Sequence, residues 1–132
     1  MTSTATAPSP TAAATPVLPP LQIGPHTVES PVVLAPMAGI TNRAFRKLCR
    51  EYGQEGLERG GASGATSLYV SEMITSRALV ERTPESMRLI EHDPEEDPRS
   101  IQLYGVDPAT VAAAVRMLVT EDRADHIDLN FG

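Results

Sequence analysis

Short apolar runs begin at Leu21 and alternate with stretches of helical spacing. The segment LQIGPHTV carries apolar pieces on both sides of Gly24-Pro25, which predicts a small hairpin. The continuous apolar run 32–35 is typical of a strand buried on both faces of a parallel sheet, and Pro36 ends it. The main fold is therefore predicted to start with a strand near residue 32.

A helix is predicted next, over NRAFRKLCREY, because its apolar residues recur every three or four positions. Thr41 is the predicted cap of this helix, and Gly53 is its predicted stop. The glycine-rich stretch 54–66 lacks the Gly-Lys-Ser/Thr ending of a phosphate-binding loop. It is therefore predicted to be a flexible loop.

Two further units follow the same strand-then-helix order. LYVSEM (68–73) predicts a strand, residues 78–80 continue into a helix that ends before Pro84, and MRLIEH (87–92) is interpreted as a short strand. SIQLYG then predicts a strand, and Asp107-Pro108 predicts an N-cap with proline in the first helical position.

The helix ATVAAAVRMLV after this cap has one apolar face, and HIDLNFG predicts a final strand. The residues on that face are Val111, Ala114, Val115 and Leu118. Alternating strands and helices indicate an α/β fold with parallel strands. The periodicity alone fits a TIM barrel and a flavodoxin-like sheet about equally. A complete (β/α)₈ barrel takes about 250 residues, so 132 residues make at most part of one.

Composition restricts the class of protein. The net charge of −6 argues against the chain itself being a nucleic-acid clamp, because binding to phosphates needs a basic face. A single cysteine, Cys49, excludes an internal disulfide and fits a reducing cytoplasm, and as a mid-helix thiol it is interpreted as a small buried residue. No apolar stretch approaches the roughly 20 residues of a membrane span. Residues 1–20, rich in Thr, Ala and Pro, are predicted to be a disordered tail.

The segment APMAGIT (35–41) lies at the carboxyl end of the first predicted strand, where α/β proteins place ligands. Its small residues Ala38 and Gly39 leave room for a flat ring against the backbone, and Met37 offers a polarizable surface. On the residues alone, an ordinary turn between strand and helix explains the segment equally well.

Polar residues inside two predicted strands are the other candidates. Gln102 lies between two apolar neighbours, so its amide needs a hydrogen-bond partner, either a ligand or another part of the fold. Asp128 and Asn130 are two positions apart and face the same side of the last strand, where they serve either a site or the strand end. His26, His92 and His126 show no metal-ligand spacing and are interpreted as structural or surface residues.

Four segments together resemble the tRNA-dihydrouridine synthases, in particular the bacterial DusB-type branch. The segments are APMAGITNRAFRKLCREYG, LYVSEM, SIQLYG with its Asp-Pro helix, and DHIDLNFG, in the order seen in that family. The similarity runs from about Leu21 to Gly132. It implies a TIM barrel of which the first three to four βα units are present, preceded by the tail of residues 1–20.

The resemblance also implies an activity and its site. The family reduces uridine in tRNA to 5,6-dihydrouridine, with FMN as cofactor and NADPH as reductant, and needs neither a metal nor a membrane. By matching motifs, Pro36, Met37 and Ala38 line the flavin, Gln102 hydrogen-bonds its ring, and Asn130 holds the target uracil. The family's catalytic cysteine belongs immediately after Gly132, so no catalytic residue is expected within the chain.

Two alternatives accompany this hypothesis. Another FMN barrel of the dihydroorotate dehydrogenase type shares the cofactor and the early alternation of strands and helices. A non-catalytic truncated fragment is the second, since half a barrel leaves strand edges and apolar helix faces uncovered.

Overall fold

The computed structural model of the protein describes residues 18–62 and 66–132. Most of the predicted tail, residues 1–17, lies outside this part of the chain. The elements are β1 (Leu21–Ile23), β2 (His26–Val28), β3 (Val33–Leu34), α1 (Arg43–Arg59), β4 (Leu68–Tyr69), β5 (Ile74–Thr75), α2 (Ser76–Val80), α3 (Pro84–Leu89), β6 (Ser100–Tyr104), α4 (Pro108–Thr120) and β7 (His126–Asn130). None of the helices in the described ranges is long and apolar enough to cross a membrane.

Parallel pairing connects the strands in the order of the chain. The predicted hairpin is confirmed as the antiparallel pair of β1 and β2. Strand β3 pairs with β4, and β5 pairs with β6 and β6 with β7, all in parallel. A bridge between Val70 and Ser100 connects the two parallel groups. The fold is thus a mixed α/β structure with sequential parallel strands, and the described residues do not close a barrel.

The main core lies between the helices and one face of the sheet. Ile101 and Leu103 of β6 are fully buried there, together with Ala114 and Leu118 of α4. Asp107 caps α4 by accepting a hydrogen bond from the Thr110 backbone N at 2.8 Å, as predicted. The strand–cap–helix–strand order of residues 100–130 is therefore confirmed.

The first strand is much less buried than its apolar run predicts. Only Val33 and Leu34 form β3, and Val32 and Val33 remain exposed. The prediction of a strand buried on both faces is wrong here, because among the described strands β3 pairs with β4 alone. At the other edge of the parallel strands, Phe131 is 95% exposed.

Helix α1 differs from its prediction at both ends. Its N-cap is Asn42, which accepts from the Phe45 backbone N at 3.1 Å, whereas Thr41 is turned inward. The helix passes through Gly53 and continues to Arg59, because the glycines are followed by good helix formers and an ion pair between Glu55 and Arg59. The predicted loop 54–66 is therefore wrong over 54–59, while residues 63–65 lie outside the described ranges.

The buried face of α1 is polar instead of apolar. Leu48 and Tyr52, on the predicted apolar stripe, are exposed, whereas Arg46 is only 1% exposed. Arg46 pairs with Glu96, and Arg50 pairs with Asp93 at 2.7 Å. The acidic segment 91–99 before β6 thus packs against α1, although its charge alone would predict a solvated loop.

The segment MRLIEH is not a strand. Its first three residues belong to α3, which starts with Pro84 and is capped by Thr83, whose hydroxyl accepts from the Ser86 backbone N at 3.3 Å. A threonine cap followed by proline and Glu85 is a helix-start signal, and it outweighs the apolar spacing of residues 87–92.

Two glycines inside α1 give a matched pair of expected stabilities. A β-carbon at Gly56 meets no atom within 4 Å, so Gly56→Ala should stabilise the helix by up to about 1 kcal/mol. A β-carbon at Gly53 would overlap the Tyr69 hydroxyl, so in Gly53→Ala the tyrosine has to move, and the cost of this movement offsets the same gain. Thermal unfolding of both variants should therefore rank Gly56→Ala above Gly53→Ala, and the opposite order would contradict the contact with Tyr69.

Candidate functional site

Side chains from β6 and β7 meet in pairs on the face of the sheet opposite the main core. Residues opposite each other on neighbouring strands point to the same face, and alternate residues point to the other. The pairs are Ser100 with His126, Gln102 with Asp128, and Tyr104 with Asn130. This face therefore carries three polar layers, stacked along the strands from their amino to their carboxyl ends.

The middle layer is a short, partly buried hydrogen bond. Gln102 is 5% exposed, and its Nε2 donates to Asp128 Oδ2 at 2.6 Å. The backbone N of Gln102 donates to Ser71 Oγ at 3.0 Å, which connects the layer to the segment after β4. The side chains of Gln102 and Asp128 are therefore held together in the middle of the sheet.

The upper layer contains Asn130. Its Nδ2 lies 3.4 Å from Gln102 Oε1 and 3.4 Å from Met73 Sδ, and its Oδ1 accepts from the Gly132 backbone N at 2.8 Å. The sequence placed Asp128 and Asn130 on one side of the last strand, and both contact Gln102. The structure thus brings Gln102 and Asn130 together.

The lower layer is structural. Ser100 Oγ and His126 Nδ1 are 2.8 Å apart, and burial lowers the pKa of His126, so its ring is neutral at neutral pH.

His26 Nε2 donates to the Asp125 carbonyl at 3.1 Å. Hydrogen bonds from Arg99 hold the pKa of Asp125 at about 2, so this carboxylate stays charged. Within the described ranges no group of three or more His, Cys, Asp or Glu side chains is placed to hold a metal ion.

The turn after β3 is fixed by two buried side chains. Thr41 Oγ1 accepts from the Met37 backbone N at 2.9 Å and donates to the Met37 carbonyl at 3.1 Å. Gly39 has a φ of +72°, a conformation that favours glycine, and its N donates to Glu72 Oε2 at 2.6 Å. The Glu72 backbone N donates to the Thr41 carbonyl at 3.2 Å. Glu72, only 9% exposed, therefore ties the end of β4 to the turn.

Glu72 and Met73 connect the turn to the polar layers. Glu72 bonds to the turn, and the next residue, Met73, contacts Asn130. Pro36, Met37 and Ala38 lie in the same turn, so Glu72 and Met73, which are adjacent in the sequence, link this turn to Asn130. Their roles toward a ligand stay predictions.

Sequence reasoning missed the role of Glu72. Its position after a strand end was the one available signal, because its partner Gly39 is 33 residues away. Arg77, the next charged residue in the sequence, pairs instead with the exposed Glu81. Cys49 lies in α1 and is half-buried, so its interpretation as a small buried thiol is met only in part.

The arrangement fits a flat, hydrogen-bonding ring. Ala38 and Gly39 are exposed, and a β-carbon at Gly39 would meet no atom within 4 Å, so the backbone of the turn is open. Gln102 and Asn130 supply amide groups in the polar layers, and Met73, next to Glu72 in the sequence, supplies a polarizable sulfur. The described residues thus offer an open small-residue surface and amide groups, the two features that a planar heterocycle with a polar edge requires.

Comparison with known proteins agrees with the sequence motifs. The family model for dihydrouridine synthase (Dus) matches residues 33–132. A probable tRNA-dihydrouridine synthase from Mycobacterium tuberculosis is 54% identical over 114 residues, which cover 86% of this chain and 28% of the relative. tRNA-dihydrouridine synthase B from Pseudomonas aeruginosa is 40% identical over 112 residues, covering 85% of this chain and 30% of the relative.

The chain thus spans less than a third of the length of these curated relatives. No solved structure matches it. The family match covers more than half of the chain and contains the turn, Gln102 and the polar pair on β7. The resemblance seen in the four sequence segments is confirmed, and the chain belongs to the dihydrouridine synthase family.

Proposed function

We propose that this chain forms part of the cofactor and substrate site of an enzyme that reduces uridine in tRNA to 5,6-dihydrouridine, with FMN as cofactor and NADPH as reductant. Family membership and relatives named as tRNA-dihydrouridine synthases support this activity over a dihydroorotate dehydrogenase type. The observation that carries the proposal is the layer of Gln102 and Asp128, which is linked to the open turn through Asn130, Met73 and Glu72.

The chain is further proposed to form the first βα units of a TIM barrel. Sequential parallel strands with a packed helix layer on one face are what a (β/α)₈ barrel requires, whereas a doubly wound sheet reverses its strand order. The polar layers then face the barrel interior. The turn and Asn130 lie at the carboxyl ends of the strands, where such barrels bind their ligands.

Each site residue has a proposed task. FMN, when bound, supplies the hydride chemistry. The turn of Pro36, Met37 and Ala38 supports the flat ring, and Gln102 orients its polar edge. Asn130 holds the uracil, which has to leave the base stack of the RNA to reach the ring. The hydrogen bond from Gly132 to Asn130 orders the backbone just before the position that the family's cysteine acid occupies.

Contacts to the tRNA backbone are proposed to come mainly from outside these residues. The net charge of −6 leaves the chain without the excess of basic groups that phosphate binding needs. The two proposed tasks are therefore separate, with the turn and Gln102 holding the cofactor and basic surface elsewhere gripping the tRNA. A location in the reducing cytoplasm, where tRNA is modified, is part of the same proposal.

Flavin binding tests the proposal. The complete polypeptide that the source gene encodes should purify with flavin, seen by absorbance near about 450 nm, and should form dihydrouridine in tRNA when given NADPH. Gln102→Ala should weaken FMN binding about tenfold, because it removes a buried hydrogen-bonding amide. Gln22→Ala, an exposed glutamine in the hairpin, is the matched control and should bind FMN normally. A wild-type protein that neither holds flavin nor modifies tRNA would overturn the proposal.

A further inference from the structure

We infer that Asp128 is a positioning residue that determines which atom of Gln102 faces the ligand. The inference rests on the proposed function and adds a residue to it. Asp128 lies opposite Gln102 in the sheet register, and its Oδ2 is 2.6 Å from Gln102 Nε2. This is the shortest side-chain hydrogen bond in the polar layers.

The direction of this bond follows from chemistry. An ionised carboxylate only accepts hydrogen bonds, whereas an amide has one accepting and one donating end. Asp128 therefore holds the nitrogen end of the Gln102 amide on its own side. The Oε1 end of Gln102 is left pointing toward Asn130 and the site, with Nδ2 of Asn130 at 3.4 Å.

The same direction continues through Asn130. Its Oδ1 accepts from the Gly132 backbone N at 2.8 Å, so its Nδ2 is turned toward Gln102 and Met73. The hydrogen bonds thus form a series from Asp128 through Gln102 and Asn130 to Gly132, in which both amides have a fixed orientation. The Asp128 carboxylate fixes one end of this series, and the Gly132 backbone N–H fixes the other.

Two consequences follow for the ligand. The site offers a carbonyl oxygen from Gln102, so it favours a ring edge with an N–H donor, as in a cyclic imide. Asp128 also places a negative charge one side chain away from that edge, and this charge disfavours additional negative charge on the bound ring. Asp128 accordingly acts on the ring through Gln102 and by its charge, without touching it.

The test is made on the complete gene product loaded with FMN. Asp128→Asn keeps the shape of the side chain, but its amide offers Gln102 both a donor and an acceptor. The orientation of the Gln102 amide is then no longer determined. FMN binding should weaken about tenfold, as for the loss of a hydrogen bond to a charged group, and the midpoint potential of the bound flavin should become more positive. Asp122→Asn, which removes a highly exposed carboxylate on the connection to β7, should change neither property.

A double variant separates orientation from folding. Gln102→Glu alone places two carboxylates in contact and should bind FMN weakly. In the double variant with Asp128→Asn, the amide at position 128 can donate to the carboxylate at position 102. This carboxylate again presents an accepting oxygen to the ligand. The double variant should therefore bind FMN more tightly than either single variant. A role of Asp128 in folding alone would lower the melting temperature without moving the flavin potential and without this recovery.

The outcomes distinguish this inference from the proposed function. If the wild type binds FMN and Asp128→Asn matches it in affinity and potential, the inference fails and the proposed function stands. If the double variant binds no better than the single variants, the inference fails in the same way. If the wild-type gene product holds no FMN, both fall together.

Discussion

Glu96→Ala should cost the protein about 3–5 kcal/mol of unfolding free energy, the effect expected when one partner of a buried ion pair is removed. The Arg46 and Glu96 side chains are 1% and 3% exposed, and they form two hydrogen bonds of 2.5 and 3.1 Å. Without Glu96, the guanidinium stays buried with its charge unpaired. Desolvation of that charge, and not the loss of attraction alone, accounts for the size of the effect.

The remaining contacts of Arg46 extend the consequence to the turn. Its guanidinium also donates to the carbonyls of Thr41 and Glu91, each at 3.0 Å. Arg46 thus connects α1, the residue that fixes the turn, and the segment before β6. We expect Glu96→Ala to loosen the turn as well as to lower overall stability.

Urea unfolding monitored by circular dichroism measures the loss of unfolding free energy. Glu55→Ala is the matched control, since Glu55 pairs with Arg59 on the exposed face of α1, the helix that also carries Arg46. This variant should cost about 0.5 kcal/mol or less. Replacing both partners, Arg46→Met with Glu96→Leu, should recover much of the stability, because neither position then carries a buried charge. A loss for Glu96→Ala no larger than that of the control would show that the pair is hydrated in solution.

Local signals explain which elements were predictable. The cap and first turn of α4 depend on Asp107, Pro108 and Thr110, which are neighbours in the sequence, and the prediction was confirmed. The two-residue spacing of Asp128 and Asn130 likewise predicts, without knowledge of their contacts, that both side chains lie on the same face of β7. Features determined within a few residues could therefore be predicted from the pattern.

The errors share a different cause, which is pairing over long distances along the chain. Arg46 is buried on account of Glu96, 50 residues later, so the apolar stripe of α1 wrongly indicated its buried face. Gly53 lies inside the helix, where its missing side chain leaves room for the Tyr69 hydroxyl from a later strand. Neither partner is visible in a local pattern.

The same distinction between local signals and long-range contacts applies to the candidate site. The motifs supplied the turn, Gln102 and Asn130 as candidates, and the periodicity placed Asp128 beside Asn130. The contact of Glu72 with Gly39 needs the fold, because it joins the ends of two parallel strands. The resemblance named residues that face a ligand, whereas the structure adds the residues that hold them in place.

Glu72→Ala should weaken FMN binding by a factor of about 10–100, the largest effect expected from a residue that belongs to the site but is not predicted to touch the ring. Its carboxylate accepts from the Gly39 N at 2.6 Å, and a hydrogen bond to a charged group contributes about 1.5–3 kcal/mol. Without it, Gly39 is free to leave its left-handed conformation, and the open backbone of the turn is no longer preorganised for the ring.

Fluorescence titration of FMN with the complete gene product measures this effect, and two further variants define its origin. Glu72→Gln keeps an oxygen that can accept from Gly39, so it should lose less affinity than Glu72→Ala. Glu81→Ala removes an exposed carboxylate at the end of α2 and should bind FMN like the wild type. Equal losses for Glu72→Gln and Glu72→Ala would indicate that the charge, and not the hydrogen bond, orders the turn. Unchanged binding in Glu72→Ala would show that Thr41 alone is sufficient to hold it.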